Sequence, residues 1–225
     1  MIYITGDTHI PINISKLNRK NFPEQKNLSK EDYLIICGDF GGVWDNSKED
    51  MYWRNWLDQK NFTTLFVDGN HENFDLLSTF EEVELFGGRV HKISDSVYHL
   101  MRGQIYNIDS KTFFTFGGAS SHDKEHRTEG VSWWKEELPS SEELQTAITN
   151  LTLNEWKVDY IITHCAPSSV QQTINTNYDK DILTDFFEDI KTKIEFKKWF
   201  FGHYHTSVNV DDRFCCLYNK IEQLF

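Results

Sequence analysis

The sequence has few cysteines, no long apolar run, no internal repeat and a deficit of positive charge. Its four cysteines, Cys37, Cys165, Cys215 and Cys216, form no CxxC pair, and each lies in or beside a β-like apolar stretch. A disulfide framework is denser and set in loops, so reduced thiols are expected. No stretch approaches the roughly 18 uninterrupted apolar residues of a membrane span. Met1 runs straight into the strand-like Ile2-Tyr3-Ile4, without the charged and apolar regions of a leader. A soluble, cytoplasmic protein with no membrane association is the expectation. Basic residues number 23 against 35 acidic ones, a formal net charge of −12. Long, sequence-blind binding to nucleic acid depends on clustered Lys and Arg, so a nuclease on polymeric DNA or RNA is disfavoured. Nothing in the sequence points to a protein partner.

What is present suffices for a core. Over 225 residues the apolar fraction is 39% and the aromatic fraction 15%, which excludes global disorder and needs no covalent staples. A single domain spanning 1–225 is expected. Five β-branched or aromatic runs each stop at a polar cluster. Met1–Thr5 leads into Gly6-Asp7-Thr8-His9, Tyr33–Cys37 into Gly38-Asp39, and Thr64–Val67 into Asp68-Gly69-Asn70-His71-Glu72. Asp159–Thr163 leads into His164, and Lys198–Phe201 into Gly202-His203-Tyr204-His205. Asp7 and Asp39 are 32 residues apart and Asp39 and Asn70 are 31 apart, each the length of a strand–helix–strand unit.

Helices are expected where the period changes. Glu49–Lys60 sets Tyr52, Trp53, Trp56 and Leu57 on one stripe, and Ser140-Ser141-Glu142-Glu143 reads as a capping box ahead of Leu144, Ala147, Ile148 and Leu151. Val90–Phe116 reads as a meander, and Phe214–Tyr218 and the tail to Phe225 as strands. Glu72 is expected to cap or start the helix that follows it. Parallel units followed by antiparallel strands fit two sheets face to face with helices outside, an α/β class. In such sheets the functional crevice lies beyond the carboxyl ends of the strands, where all five clusters sit.

Singly, these clusters are ordinary turn and cap residues. Together, Asp7, His9, Asp39, Asn70, His164, His203 and His205 supply mixed oxygen and imidazole donors for two divalent transition ions. Such donors suit manganese, iron, zinc, cobalt or nickel better than magnesium or calcium, with manganese the first expectation. Asp39, central in the order, could bridge the two ions.

Asp7-x-His9, Gly38-Asp39, Gly69-Asn70-His71-Glu72, Thr163-His164 and Gly202-His203-x-His205 together resemble the calcineurin-like metallophosphoesterases. The resemblance implies a four-layer α/β/β/α sandwich of two mixed sheets, a dinuclear centre and hydrolysis of a phosphodiester or phosphomonoester by metal-bridged hydroxide. It also implies that Asp7, His9, Asp39 and His205 hold one ion, while Asp39, Asn70, His164 and His203 hold the other. His71 would then be the catalytic proton donor or a contact to the substrate. Two ions about 3.5–4 Å apart acidify a water and clamp the phosphoryl oxygens, so few other side chains are needed. A small phosphate ester, a nucleotide among the candidates, is the expected substrate.

Gly-Asn-His-Glu also occurs in phosphoprotein phosphatases, the alternative reading. That branch continues its first motif with His-Gly and its second with Asp-Arg-Gly. Here Ile10-Pro11 and Phe40-Gly41-Gly42-Val43 stand instead. A non-catalytic scaffold of the same fold is a further alternative, against which every ligand position holds a competent residue. The insert, about 101–157, is expected to set substrate choice. Phe116-Gly117-Gly118-Ala119-Ser120 would let backbone approach a ligand. Arg127 would bind a substrate phosphate, or pair with Asp123 on the surface, and Trp133 would stack on a base, or pack with Trp134. Arg89 and Arg102 are further phosphate-clamp candidates, and His91, His99 and His126 are expected to be surface or core residues.

Overall fold

The computed structural model describes residues 1–224, so the Phe225 end of the expected tail strand lies outside the described residues. Two mixed sheets face each other. The first runs β1 (Ile2–Thr5), β2 (Tyr33–Ile36), β3 (Thr63–Phe66) and then a meander of β4 (Glu81–Leu85), β5 (Gly88–Lys92) and β6 (Val97–Leu100). The second holds β7 (Gln104–Ile108), β8 (Lys111–Phe116), β9 (Tyr160–Thr163), β10 (Lys198–Phe201), β11 (Val208–Asn209) and β12 (Phe214–Cys216). The chain then returns to the first sheet as β13 (Ile221–Gln223), giving the orders β13-β1-β2-β3-β6-β5-β4 and β11-β12-β10-β9-β8-β7. The expected 90–116 meander therefore splits, because the chain changes sheets between β6 and β7. Edge strand β4 went unforeseen; its glutamates face outward from a short Glu-Glu-Val-Glu-Leu alternation.

Period-2 alternation builds three apolar layers. Ile2, Ile4, Ile35, Leu65, Phe113, Ile162 and Phe200 fill the space between the sheets. Tyr3, Leu34, Ile36 and Phe66 point the other way, into a cluster with Leu57 of α1 (Lys48–Asp58) and with Leu17 and Phe22. On the far side, Phe114, Phe116, Ile161, Trp199 and Phe201 meet α3 (Ser141–Leu153) and α5 (Ile182–Lys191). The remaining α-helices among the described residues, α2 (Phe74–Leu77) and α4 (Ser168–Ile174), are short. The result is the expected α/β/β/α sandwich. No helix among the described residues is long and apolar enough to cross a membrane, and all four cysteines are buried and free.

Two local expectations give way to competing chemistry. The β1–β2 crossover contains no α-helix but two 3-10 turns, Ile14–Leu17 and Pro23–Asn27. Pro11 and Pro23 lack an N–H, and Asn18 Oδ1 accepts from the backbone of Lys20 and Asn21, so helix propagation fails. On α1, Tyr52 is exposed while Asp50 and Arg54 are buried beside Leu57. Asp50 accepts the N–H groups of Trp44, Asp45 and Asn46, and Arg54 reaches Asn46, so this face closes on a loop rather than on the core alone. The capping box at Ser140 and Glu143 forms as expected.

His91 and His99 pair across β5 and β6 with stacked rings and an Nδ1–Nδ1 separation of 2.9 Å. His99 Nε2 donates to Asp68 Oδ1 (3.0 Å), and its Nδ1 faces His91 Nδ1. Burial, and then the neighbouring His99, push the His91 pKa down to about 4. The unfolded chain takes up that proton near pH 6.5, so it binds more protons than the fold between about pH 6.5 and 4. This contribution is therefore fully present above pH 6.5 and is lost as the pH falls towards 4, by roughly 2–3 kcal/mol. Chemical denaturation across this interval should show a shallower acid limb for His91→Gln than for the parent. Equal slopes would refute the linkage.

Candidate metal centre

The five polar clusters converge because β1, β2 and β3 are parallel neighbours in one sheet and β9 and β10 in the other. Asp7, His9, Asp39 and His205 each bring one ligand atom within 4.8 Å of the others, a group that could hold a metal ion. His9 Nε2 lies 3.1 Å from His205 Nε2 and 3.5 Å from Asp39 Oδ2, while His205 Nε2 lies 3.5 Å from Asp7 Oδ2. On the other side of Asp39, His164 Nε2 is 3.3 Å from Asp39 Oδ1 and 3.2 Å from Asn70 Oδ1. The His203 ring centroid lies 5.0 Å from that of His164.

This donor set suits cations. Asp7 Oδ2 is buried and has no hydrogen-bond partner. His164 Nδ1 donates to the Cys37 carbonyl (2.7 Å), which turns its Nε2 towards the two oxygens, the usual arrangement of a ligating imidazole. Burial works against the charged form of His164, but Asp39 and Asp7 raise its pKa to about 9. Burial likewise raises Asp7, helped by Asp39 and opposed by His164. For Asp39 burial is overcome by His164, His71 and His9, which hold its carboxyl far below the usual range. Electron pairs of carboxylate, amide and imidazole groups thus face one another at hydrogen-bond distance, and a divalent ion can displace the proton that His164 holds.

The backbone is shaped for this convergence. His9, Asp39, His203 and His205 all have positive φ, between 36° and 68°. Such strain persists where other contacts overdetermine it. Here Thr8 N and His9 N both donate to Asp39 O, at 3.0 and 2.8 Å. Gly38 has φ of +87°, and a Cβ there would overlap the His164 ring. The buried Lys16 ammonium donates to the carbonyls of Gly6, Asp7 and Tyr218, and burial pushes its pKa down to about 8. Tyr218 in turn stacks on His205 at 4.8 Å. Glu72 does not cap the next helix; Asn73 does. Glu72 is wholly buried and accepts the N–H groups of Phe40 (2.6 Å) and Gly41 (3.4 Å), holding the loop after Asp39.

A cavity of about 460 Å³ opens over the cluster, lined by Asp39, Asn70, His71, Arg127, His203 and His205 among others. Arg127 makes the expected pair with Asp123 and also lines the cavity. Its Nε pairs with Asp123 Oδ1 (2.8 Å), and its Nη1 lies 3.3 Å from His71 Nδ1 in the cavity wall. Trp133 is not brought to this wall; its ring lies under the Lys124 ammonium, while Trp134 is buried and donates to Asp75. Arg102 is no phosphate clamp, being buried on Asp68 at 2.6 and 2.9 Å, and Arg89 pairs with exposed Glu82. The tight turn at Gly117-Gly118 approaches Asp68 and the Glu137 carbonyl closely. Within 101–157, β7, β8 and α3 belong to the second sheet and its outer layer, so only the loop 117–140 overlies the cavity. Sequence reasoning missed Lys16 and Tyr218 beneath the cluster, Ser121 and Tyr178 in the cavity lining, and Glu137, which accepts the Ser121 N–H; no local spacing marks them out.

The family model for calcineurin-like phosphoesterase matches residues 1–207. No curated protein gives a significant match.

The close fit at Gly38 is testable. Gly38→Ala must leave its positive φ or displace the His164 ring, at a cost of about 1–3 kcal/mol. Denaturation should show that loss, and calorimetry a fall in manganese uptake. An alanine variant with unchanged stability and uptake would show that the close approach is unimportant.

Proposed function

The chain belongs to the calcineurin-like phosphoesterase family, and from that premise we propose that it is a dinuclear metal-dependent hydrolase of a small phosphate mono- or diester. Family membership implies divalent metals and a hydrolase acting on phosphate esters. The observation that carries the finer reading is the convergence of donors from five strand ends, with an unpartnered buried Asp7 oxygen, beneath a cavity of small-molecule size. Asp7, His9, Asp39 and His205 would hold one ion. Asp39 would be shared with a second ion held by Asn70, His164 and His203. Manganese is the first candidate for both. Bound there, the ions would neutralise phosphoryl oxygens and acidify a water.

The chain's own groups do the rest. Arg127 Nη1–H faces His71 Nδ1, which makes Nδ1 the acceptor and leaves the proton on Nε2. His71 is thus held as a neutral donor, able to bind a phosphoryl oxygen or deliver a proton to the leaving oxygen. Its backbone N–H donates to Asp39 Oδ1 (2.9 Å), which ties the ring's position to the shared carboxylate. Arg127 adds a positive charge to the wall for a non-bridging phosphate oxygen. A net charge of −12 disfavours a long polyanion while leaving a small ester free to reach a local positive centre.

The manganese-loaded protein should hydrolyse at least one of a panel of chromogenic mono- and diesters, cyclic nucleotides, dinucleotides and a phosphopeptide. His71→Ala should keep both metals and lose about 10²–10⁴-fold in kcat. No turnover with both metals bound would overturn the enzyme reading, and a preference for the phosphopeptide would move it to the protein phosphatases. Metal loss in His71→Ala would remove the proton-donor role.

A further inference from the structure

Trp133 is not part of the cavity wall, but other aromatic rings are: His122, Tyr178, His203 and Tyr204 all line it. They form a chain of ring contacts that starts at the metal cluster. The His203 centroid lies 5.9 Å from that of His122 and 5.1 Å from that of Tyr204. His122 in turn runs nearly parallel to Tyr178, with 16° between the planes and 6.3 Å between centroids. Tyr178 packs on Tyr204 at 5.0 Å. The base of this array is fixed, because Tyr204 is buried, accepts the Ala166 N–H at 3.1 Å and donates to Gln171 Oε1 at 2.9 Å. Its outer members are open to solvent, His122 exposed and Tyr178 half-buried. The same cavity also holds the contact pair of His71 and Arg127. Polar groups suited to a phosphate and flat rings suited to another flat ring thus share one space.

We propose that His122 and Tyr178 form an aromatic subsite that selects phosphate esters carrying a planar aromatic group, such as the base of a nucleoside or the ring of an aryl alcohol. The proposal rests on the phosphoester reading, because a phosphoryl group held at the cluster is what brings the rest of the ligand past His203 to these rings. Arg127 and the cluster meet the charged end, and the rings meet the flat end. Stacking is tolerant of which base is present, since every base has a π face. The subsite therefore separates esters with a flat ring from those without one more sharply than it separates one base from another. Its two rings come from different segments, His122 from the 117–140 loop and Tyr178 from the connection between α4 and α5.

Two matched pairs of esters test it on the manganese-loaded full chain. Adenosine 5′-phosphate and ribose 5-phosphate differ only in the base, and phenyl and cyclohexyl phosphate differ in the flatness of the ring. Each preference is a ratio of kcat/KM where the esters are turned over, and of calorimetric dissociation constants where they are not. The parent should favour the aromatic member of at least one pair by about 5–150-fold, the span expected of one stacked base. With His122→Ala and Tyr178→Ala together, folding being checked by circular dichroism, that ratio should fall to near one. Tyr178→Phe, which keeps the ring, should retain it. A preference in the first pair alone assigns the ring to a nucleoside, and one in the second alone to an aryl alcohol. A ratio near one in the parent overturns the subsite. So does a ratio that survives in the double alanine variant, as it would if these rings were merely structural and their loss weakened both members alike. Turnover of the ester panel without a preference removes the subsite and leaves the phosphoester reading standing. A preference without turnover of any ester removes the enzyme reading and leaves the subsite.

Discussion

Two carboxylates, Asp7 and Asp39, are buried almost completely within one cluster of imidazoles, and the rest of the molecule is organised around that juxtaposition. Like charges out of water are costly unless cations or hydrogen-bond donors compensate them. Part of the compensation is backbone: His203 N donates to Asp7 Oδ1 and His71 N donates to Asp39 Oδ1. Part is the His164 imidazole, and the Asp7 oxygen with no partner marks what remains. A protein that retains this arrangement at the mouth of a cavity has a use for positive charge there. Family membership implies divalent metals, which would supply it.

Positioning the carboxylates requires two sheets. β1 and β2, adjacent and parallel, place Asp7 and Asp39 just past their carboxyl ends, and β9 and β10 bring His164 and His203 against them from the facing sheet. Only a dry, interdigitated layer between the sheets can hold that approach rigid, and Ile4, Ile35, Ile162 and Phe200 provide it. The glycines before the ligands serve the same end. At Gly69 and Gly202, as at Gly38, a side chain would occupy space that Asp39, Asp7 or His164 already fills.

The loop over the cavity is knit into the centre at several points. Arg102 holds Asp68 and the Glu136 carbonyl, and Gly118 N donates to Asp68 O, which fixes the start of the segment bearing Asn70 and His71. Ser121 reaches Asn70 itself, and Arg127 orients the His71 ring. The cavity wall and the donor cluster therefore share parts.

By itself the sequence determined the strand ends and their chemistry. Alternating apolar runs that stop at Asp, Asn and His are local patterns, and the period of each run carries its secondary structure. The capping box at Ser140 was readable for the same reason. Which polar groups meet was settled only in three dimensions. Glu72 looked like a helix cap but is drawn to the loop after Asp39 by two backbone donors. Arg102, a phosphate-clamp candidate by sequence, is neutralised by Asp68 across 34 residues of chain. Trp133, a stacking or a packing residue by sequence, lies under Lys124. The Asn70–Ser121 contact spans 51 residues and leaves no periodic trace. Apolar periodicity repeats along the chain, whereas hydrogen-bond partners at such separations are chosen by packing, and packing exists only in the folded state.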